Sequence, residues 1–453
     1  MCGLAGGINQ PASLVRSMLK KIEHRGGDGQ GIIESGTATH GHVRLALLDL
    51  TEASSQPFKY HDTVLSFNGE IWNYRELRSE LENRGVKFHT TGDTEVLAAM
   101  LYEYGKAALC RLEGMFSFIW TGSDGKHFAA RDAFGEIPLY IGKSTTGFIW
   151  ASERKAFPPT MVPTAVPAGS LFCFDSEQWE KWYSLPDHEG IDAKQVLTLL
   201  RQGVERRVNA DAEVACLISG GIDSSLILAL AKEANPNITA FTAVFNPDST
   251  DLKSARKLCN EIEVPLVEVP VTVDRAAIQV ALETIEISSK AQIEIAALCI
   301  PLAQRIASEG FKACLSGEAA DELFGGYGNF CIAASKTDDV VPLRIEQLRK
   351  MSRGNFIRCN KSFMAAGVEC RLPFMEQKLV EQSVQASKSE SPLGKKLLKE
   401  AAKATLPAWV IKRPKDTFQG GSGVSAFIAS EIANPVRYYN NELKKKFGYL
   451  PKN

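Results

Sequence analysis

VACLISGGIDSSLILALAKEA, residues 214–234, reads as an apolar strand from Val214 to Ile218, a turn of small residues over 219–225, and a helix from Leu226. Strand, small-residue turn and helix start, in that order, make an anion site. Gly220 and Gly221 let the backbone approach a phosphate, and Ser219, Ser224 and Ser225 add hydroxyl donors beside the free amides of the helix end. No GKS or GKT follows, so the turn is not the common P-loop. An acid inside a phosphate cradle repels its ligand unless a cation lies between, so Asp223 is assigned to Mg2+. The competing reading is a glycine-rich turn whose serine caps a helix.

Further apolar runs follow at ITAFTAVF (238–245), PLVEVPV (265–271) and FKACLS (311–316), with helix-like segments such as SARKLCNEI (254–262) between them. Short, continuously apolar strands alternating with helices predict a buried parallel sheet. Upstream the pattern changes. TVLSFNGE (63–70), HFAARDAF (127–134) and GFIWASE (147–153) alternate and are parted by Gly and Asp turns, with helical stretches at 76–85 and 94–105. That predicts a mixed layered fold rich in antiparallel sheet. The polar stretch SLPDHEGIDA (184–193) separates the two patterns, so the join falls near Pro186 and the expected domains are 2–185 and 190–453.

Composition agrees with two or three domains in 453 residues, with 23% charged and 44% hydrophobic residues as in ordinary globular chains. Lys plus Arg is 52 against Asp plus Glu 53. No net positive field is available for nucleic acid or an acidic membrane surface. The opening residues show no basic stretch followed by an apolar core, as a secretory leader would, and no apolar run reaches the roughly 18 residues that span a bilayer, so a cytoplasmic protein is expected. Ten cysteines are scattered singly without CxxC pairs, which suits reduced thiols. Cys2 differs from the rest by position. Removal of Met1 would give it a free α-amine, able to act as base for its own thiol.

SGGIDSS resembles the pyrophosphate loop of ATP pyrophosphatase domains. LSGEAADELFGGY (315–327) resembles the second signature of asparagine synthetases, and NKSFMAAGVECRLPFME (360–376) and KRPKDTF (412–418) resemble later segments of them. The resemblance implies an α/β parallel-sheet ATP pyrophosphatase domain using ATP and Mg2+, with Val244 also at the nucleotide. Ser316 and Gly317 end an expected strand, where open α/β sheets place ligands. Asp321 is expected to join Asp223 at Mg2+, Glu318 to take a proton from or hold an incoming amine, and Lys415 to meet the charge of departing pyrophosphate. The bland reading is that Glu318 and Asp321 merely start a helix and that Lys415 is a solvated surface charge.

Residues 2 to about 180 resemble class II glutamine amidotransferase domains, the glutaminase half of asparagine synthetases. The resemblance rests on CGLAGG (2–7), HRGGDGQG (24–31), GHVRLALLDL (41–50), FNGEIWNY (67–74), TTGDTEV (90–96), GMFSF (114–118) and ARDAFGEIPLY (130–140). It implies an α+β αββα sandwich of the Ntn-hydrolase type with Cys2 as nucleophile. Asn68 and Gly69 would form the oxyanion hole, Arg44 would bind the glutamine carboxylate, and Glu70 and Asp93 would hold its ammonium. Asn68–Gly69 is also a hairpin-turn signal, and Arg44 beside Asp49 could be an ion pair only. Two departures stand out, Gly27 where the family has Pro and Glu136 where it has a small apolar residue.

The implied chemistry is that of a glutamine-hydrolysing asparagine synthetase. Glutamine, ATP and aspartate are then the expected partners, with a homodimer as an optional assembly. The acceptor region leaves alternatives open. In SSKAQIEIAALC (288–299) the positions of the family's threonine pair and arginine carry Ala291, Gln292 and Glu294. An acid in place of Arg would repel the α-carboxylate of aspartate. An amidotransferase for another carboxylic acid, or a non-catalytic homologue, therefore remains an alternative at this stage.

Overall fold

In the computed structural model, which describes residues 1–187, 190–391, 393–413 and 424–451, the strand Gly3–Ile8 sends Leu4 and Ala5 into different cores. The period of two in a strand requires this when both faces of its sheet are covered. Gly3–Ile8 lies within a six-stranded antiparallel sheet, in the order Thr164–Ala165, Tyr140–Lys143, Phe148–Ala151, Gly3–Ile8, Ala38–Arg44, Gly29–Ser35. A second antiparallel sheet runs Gln178–Lys181, Ser170–Cys173, His127–Arg131, Gly114–Thr121, Thr63–Ile71, Phe58–Tyr60. Leu4, Phe148 and Trp150 of the first meet Ile119, Ala129 and Phe172 of the second. Outside the first sheet the helix Ala12–Lys21 packs Val15, Met18 and Leu19 on Ala5, Val43 and Ile149. Outside the second, the helices Tyr74–Asn83 and Asp93–Tyr104 lay Leu77, Leu81, Leu97 and Met100 on Leu65, Phe67, Phe116 and Phe118. The layers are helix, sheet, sheet, helix, the expected αββα sandwich.

Two histidines sit fully buried in the first sheet. His40 bonds Ser66 and Thr121, and His42 bonds the Phe67 carbonyl at 3.0 Å. Burial pushes both imidazoles down to about 3. Unfolding returns them to about 6.5, so between those values the unfolded chain binds more protons than the folded one. Their contribution to stability is complete above about pH 6.5 and is lost as pH falls through that window, by about 1.4 kcal/mol per pH unit for each histidine. Urea titrations across the window are expected to show a shallower slope for His40→Asn than for the wild type. Equal slopes would contradict this account.

The chain divides into two compact units, Met1–Ser184 with two short later segments, and Leu185–Phe363 with Glu369–Glu442. The second unit holds a five-stranded, wholly parallel sheet in the order Leu266–Pro270, Ala240–Val244, Val214–Leu217, Ala313–Leu315, Glu369–Arg371. From Val214–Leu217 the chain moves one way to Ala240–Val244, then returns to Ala313–Leu315 on the other side. The strand order reverses between Val214–Leu217 and Ala313–Leu315, and ligands of open α/β sheets bind beyond the carboxyl ends of strands at such a point. Two sequence expectations are corrected. The helix expected from Leu226 starts at Ile222, so Asp223, Ser224 and Ser225 belong to its first turn. Glu369–Arg371 is a strand that the apolar pattern missed, because its two charges pair with each other in the core at 2.7 Å. Among the described residues no helix is long and apolar enough to cross a membrane.

Candidate active sites

Cys2 precedes the first strand and is buried at 7% exposure. Because Gly3 pairs with Val43, the chain at 44–45 runs beside it, and the Leu45 amide lies 3.4 Å from Cys2 Sγ. Arg25, fully buried and paired with Glu153, donates from Nε to the Cys2 carbonyl at 2.8 Å. Cys2 is thus held by the chain at 44–45 and by Arg25. Other thiols are built differently. Burial pushes Cys259 up to about 11 and Cys299 up to about 12, which leaves both inert.

The Cys2 backbone N–H donates to Asn68 Oδ1 at 2.8 Å. Since that amide can only donate, it fixes which way the Asn68 side chain points. Asn68 Nδ2 is then turned away, buried, with no partner among the described residues. A buried donor left unpaired is costly, and a developing oxyanion is a partner for it. Neither Asn68 nor Gly69 lies in a turn. Both sit inside the strand Thr63–Ile71, which removes the hairpin reading. Gly69 has φ +141°, and a Cβ there would collide with the Met115 carbonyl, so only glycine fits.

Arg44 does not pair with the Asp49 carboxylate. Its guanidinium donates to the carbonyls of Thr51 and Asp49, at 2.7 and 2.5 Å. The Asp49 carboxylate instead accepts from Thr51 and Thr91. The buried cation is therefore oriented by neutral groups, which leaves its charge available to a carboxylate ligand. Asp93 opens its helix beside the Asn68 strand and accepts the Ile71 amide at 2.9 Å. Glu70 is buried in the same strand. Of the two departures, Gly27 has open space where a Cβ would be, and Glu136 is buried with its amide on Asp132 at 2.9 Å.

In the second unit the turn after Val214–Leu217 is closed by Ser224 Oγ, which takes the Ser219 amide at 3.1 Å and meets Ser219 Oγ at 3.0 Å. Gly220 has φ +77°. Gly317 lies against the same turn, where a Cβ would stand 2.7 Å from the Ser224 amide. Ser316 bonds the Arg371 carbonyl through its amide at 3.0 Å. The 315–327 segment is thus brought to the 219–225 turn, as the sequence implied. Val244 ends the neighbouring strand at the same edge of the sheet. Ser225 Oγ is buried without a partner among the described residues. Lys415 lies outside the described residues. Arg413, passed over in the sequence, donates to the Gly220 carbonyl at 2.6 Å and pairs with Asp251.

Asp223 and Asp321 converge on one cation. Lys395 Nζ lies 2.5 Å from Asp223 Oδ2 and 2.7 Å from Asp321 Oδ1, at 3% exposure. Burial opposes its charge, but the two acids outweigh this and hold its pKa above the usual lysine value. A Cβ on Gly326 would collide with Asp321 and Lys395. Two carboxylates this close suit Mg2+, which takes one or two carboxylates and completes its shell with phosphates and water. Among the described residues no group of three or more His, Cys, Asp or Glu could hold a metal alone.

Glu318 is bound at both oxygens, by Asn355 Nδ2 at 2.7 Å and by Arg358. Glu322 shares Asn355 at 2.9 Å and accepts Tyr327 OH at 2.8 Å. Burial first, and then the charge of Glu318, push Glu322 up to about 7. Glu294 is not an acid facing this cluster. It is 1% exposed and paired within its helix to Lys290 at 2.8 Å. Lys290 also reaches Ser425 at 3.0 Å, whereas Gln292, about half a turn away, faces Asn355 and Arg358. Glu294 therefore has a cation beside it in its own helix, one turn before it.

The glutamine amidotransferase domain profile matches residues 1–178, and the asparagine synthase profile matches 195–351 and 333–445. The glutamine-hydrolyzing asparagine synthetase B of Escherichia coli (strain K12) is 31% identical over 466 residues, 94% of this chain and 83% of that protein. Glutamine-hydrolyzing asparagine synthetase 2 of Oryza sativa subsp. japonica is 32% identical, covering 94% of this chain and 78% of its own. The glutamine-hydrolyzing asparagine synthetase of Triphysaria versicolor is 30% identical over 99% of this chain and 83% of its own.

Proposed function

We infer the function from the membership of the chain in the glutamine-hydrolysing asparagine synthetase family: it uses ATP to convert aspartate to asparagine with ammonia from glutamine. The observation that carries this is the match at 31% identity along 94% of the chain, through both units.

For the residues we propose the following roles. With Met1 removed, the Cys2 α-amine keeps its bond to Asn68 and takes the proton of its own thiol. The thiolate attacks the side-chain amide of glutamine, the α-ammonium returns its proton to the leaving nitrogen, ammonia departs to leave a thioester on Cys2, and water hydrolyses that thioester to glutamate. Asn68 Nδ2, unpartnered and buried, and the Gly69 N–H meet the oxyanion. Arg44 binds the glutamine α-carboxylate and Glu70 and Asp93 its ammonium. In the second unit the 219–225 turn with Ser316, Gly317 and Val244 holds ATP. The aspartate side-chain carboxylate attacks the α-phosphorus, giving an acyl adenylate and pyrophosphate. Ammonia then displaces AMP, with Glu318 holding the amine and Lys415 meeting the pyrophosphate charge. Mg2+ at Asp223 and Asp321 would neutralise the phosphates when bound. We place the reaction in the cytoplasm, where the ten free thiols stay reduced.

Purified protein given glutamine, aspartate and Mg-ATP is expected to form asparagine, glutamate, AMP and pyrophosphate in equal amounts. Pyrophosphate formation indifferent to aspartate would overturn the acceptor. Asn68→Ala is expected to lower glutamine hydrolysis by roughly 100- to 1,000-fold, with amide formation from ammonium unchanged.

A further inference from the structure

We propose that Gln292 is a positioning residue for amide formation, closing a hydrogen-bonded ring that aims both oxygens of Glu318. The ring has four members from three segments. Arg358 Nε donates to Gln292 Oε1 at 2.7 Å, and Gln292 Nε2 donates to Asn355 Oδ1 at 3.1 Å. Asn355 Nδ2 donates to Glu318 Oε1 at 2.7 Å, and Arg358 Nη2 closes the circuit on Glu318 Oε2. Asn355 and Arg358 stand one turn apart on the helix Asn355–Met364, Gln292 is in the first turn of Lys290–Ser308, and Glu318 follows the strand Ala313–Leu315.

The direction of every bond is dictated by one residue. A guanidinium can only donate, so Gln292 must present its oxygen to Arg358 and its nitrogen to Asn355. Asn355 must then present its oxygen to Gln292 and its nitrogen to Glu318. Turning either amide over would set donor against donor. Asn355 Nδ2 also lies 2.9 Å from Glu322 Oε1, so a misturned Asn355 would release both acids. Arg358 is buried and cannot recover its lost partner from bulk water.

The proposal rests on the reading that Glu318 handles the incoming amine. Its test uses the full chain with ammonium as nitrogen source. Gln292→Leu keeps the bulk and removes both bonds. The turnover for asparagine formation is expected to fall about 10- to 100-fold, while aspartate-dependent ATP–pyrophosphate exchange and the KM for ATP stay within about twofold. In a Glu318→Gln background the same change is expected to have less than about a twofold effect, since residues acting as a unit are not additive. Undiminished turnover in Gln292→Leu, equal loss of exchange and amide formation, or a full further loss in the Glu318→Gln background would each overturn the proposal. Wild-type exchange that ignores aspartate would instead overturn the functional reading itself.

Discussion

Cys2→Ala is expected to abolish asparagine formation from glutamine, by on the order of ten-thousand-fold or more, and to leave formation from ammonium within about twofold of wild type. The reason is a division of labour between units. Cys2, Asn68, Gly69 and Arg44 all lie in the sandwich unit, whereas the 219–225 turn, Asp223, Asp321 and Glu318 lie in the other. Alanine is smaller than cysteine at a site of 7% exposure, so the backbone bond to Asn68 survives and only the attacking sulfur is lost. Comparing initial rates with glutamine and with ammonium decides it. Loss of both activities would show that the thiol serves the second unit as well.

Lys395→Met is expected to cost the second unit about 3 kcal/mol or more, because it removes the buried cation that bridges two carboxylates. Asp223 and Asp321 are each less than a quarter exposed, and this ammonium lies within 2.7 Å of both. For a unit of this size the melting temperature should fall by roughly 6–12 °C. Adding Mg2+ with ATP should recover part of the fall, since a divalent cation replaces the missing charge. ATP–pyrophosphate exchange is expected to drop by on the order of 100-fold. An unchanged melting temperature with normal exchange would mean that the two acids do not depend on Lys395.

Lys395 also marks the limit of what the sequence discloses. The run GKKLLKE (394–400) reads as the solvated face of a helix, and nothing local says that one lysine turns inward. Its partner Asp223 is 172 residues away. The ring around Glu318 was hidden for the same reason, since NFIRC (355–359) carries no spacing that announces a site. By contrast, the 214–234 segment displayed its strand, turn and helix outright, because the glycines and serines of a phosphate turn are a local requirement. Even there the helix start was displaced by four residues, since Asp and Ser in a first turn read equally well as loop. Alternation disclosed a layered fold rich in antiparallel sheet, but the αββα order of its layers came only from the resemblance. Glu294 was misleading because sequence gives the sign of a charge but not its partner, and Lys290 stands beside it one turn earlier.

The central claim is that one chain joins a nitrogen from glutamine to a carboxylate of aspartate through an acyl adenylate. Aspartate carrying 18O in its side-chain carboxylate, incubated with glutamine labelled with 15N at its amide and Mg-ATP, tests it most directly. Mass spectrometry should find the 15N in the asparagine side chain and one 18O transferred to AMP for each asparagine made. Label absent from AMP, or ADP and phosphate as the products, would contradict the account.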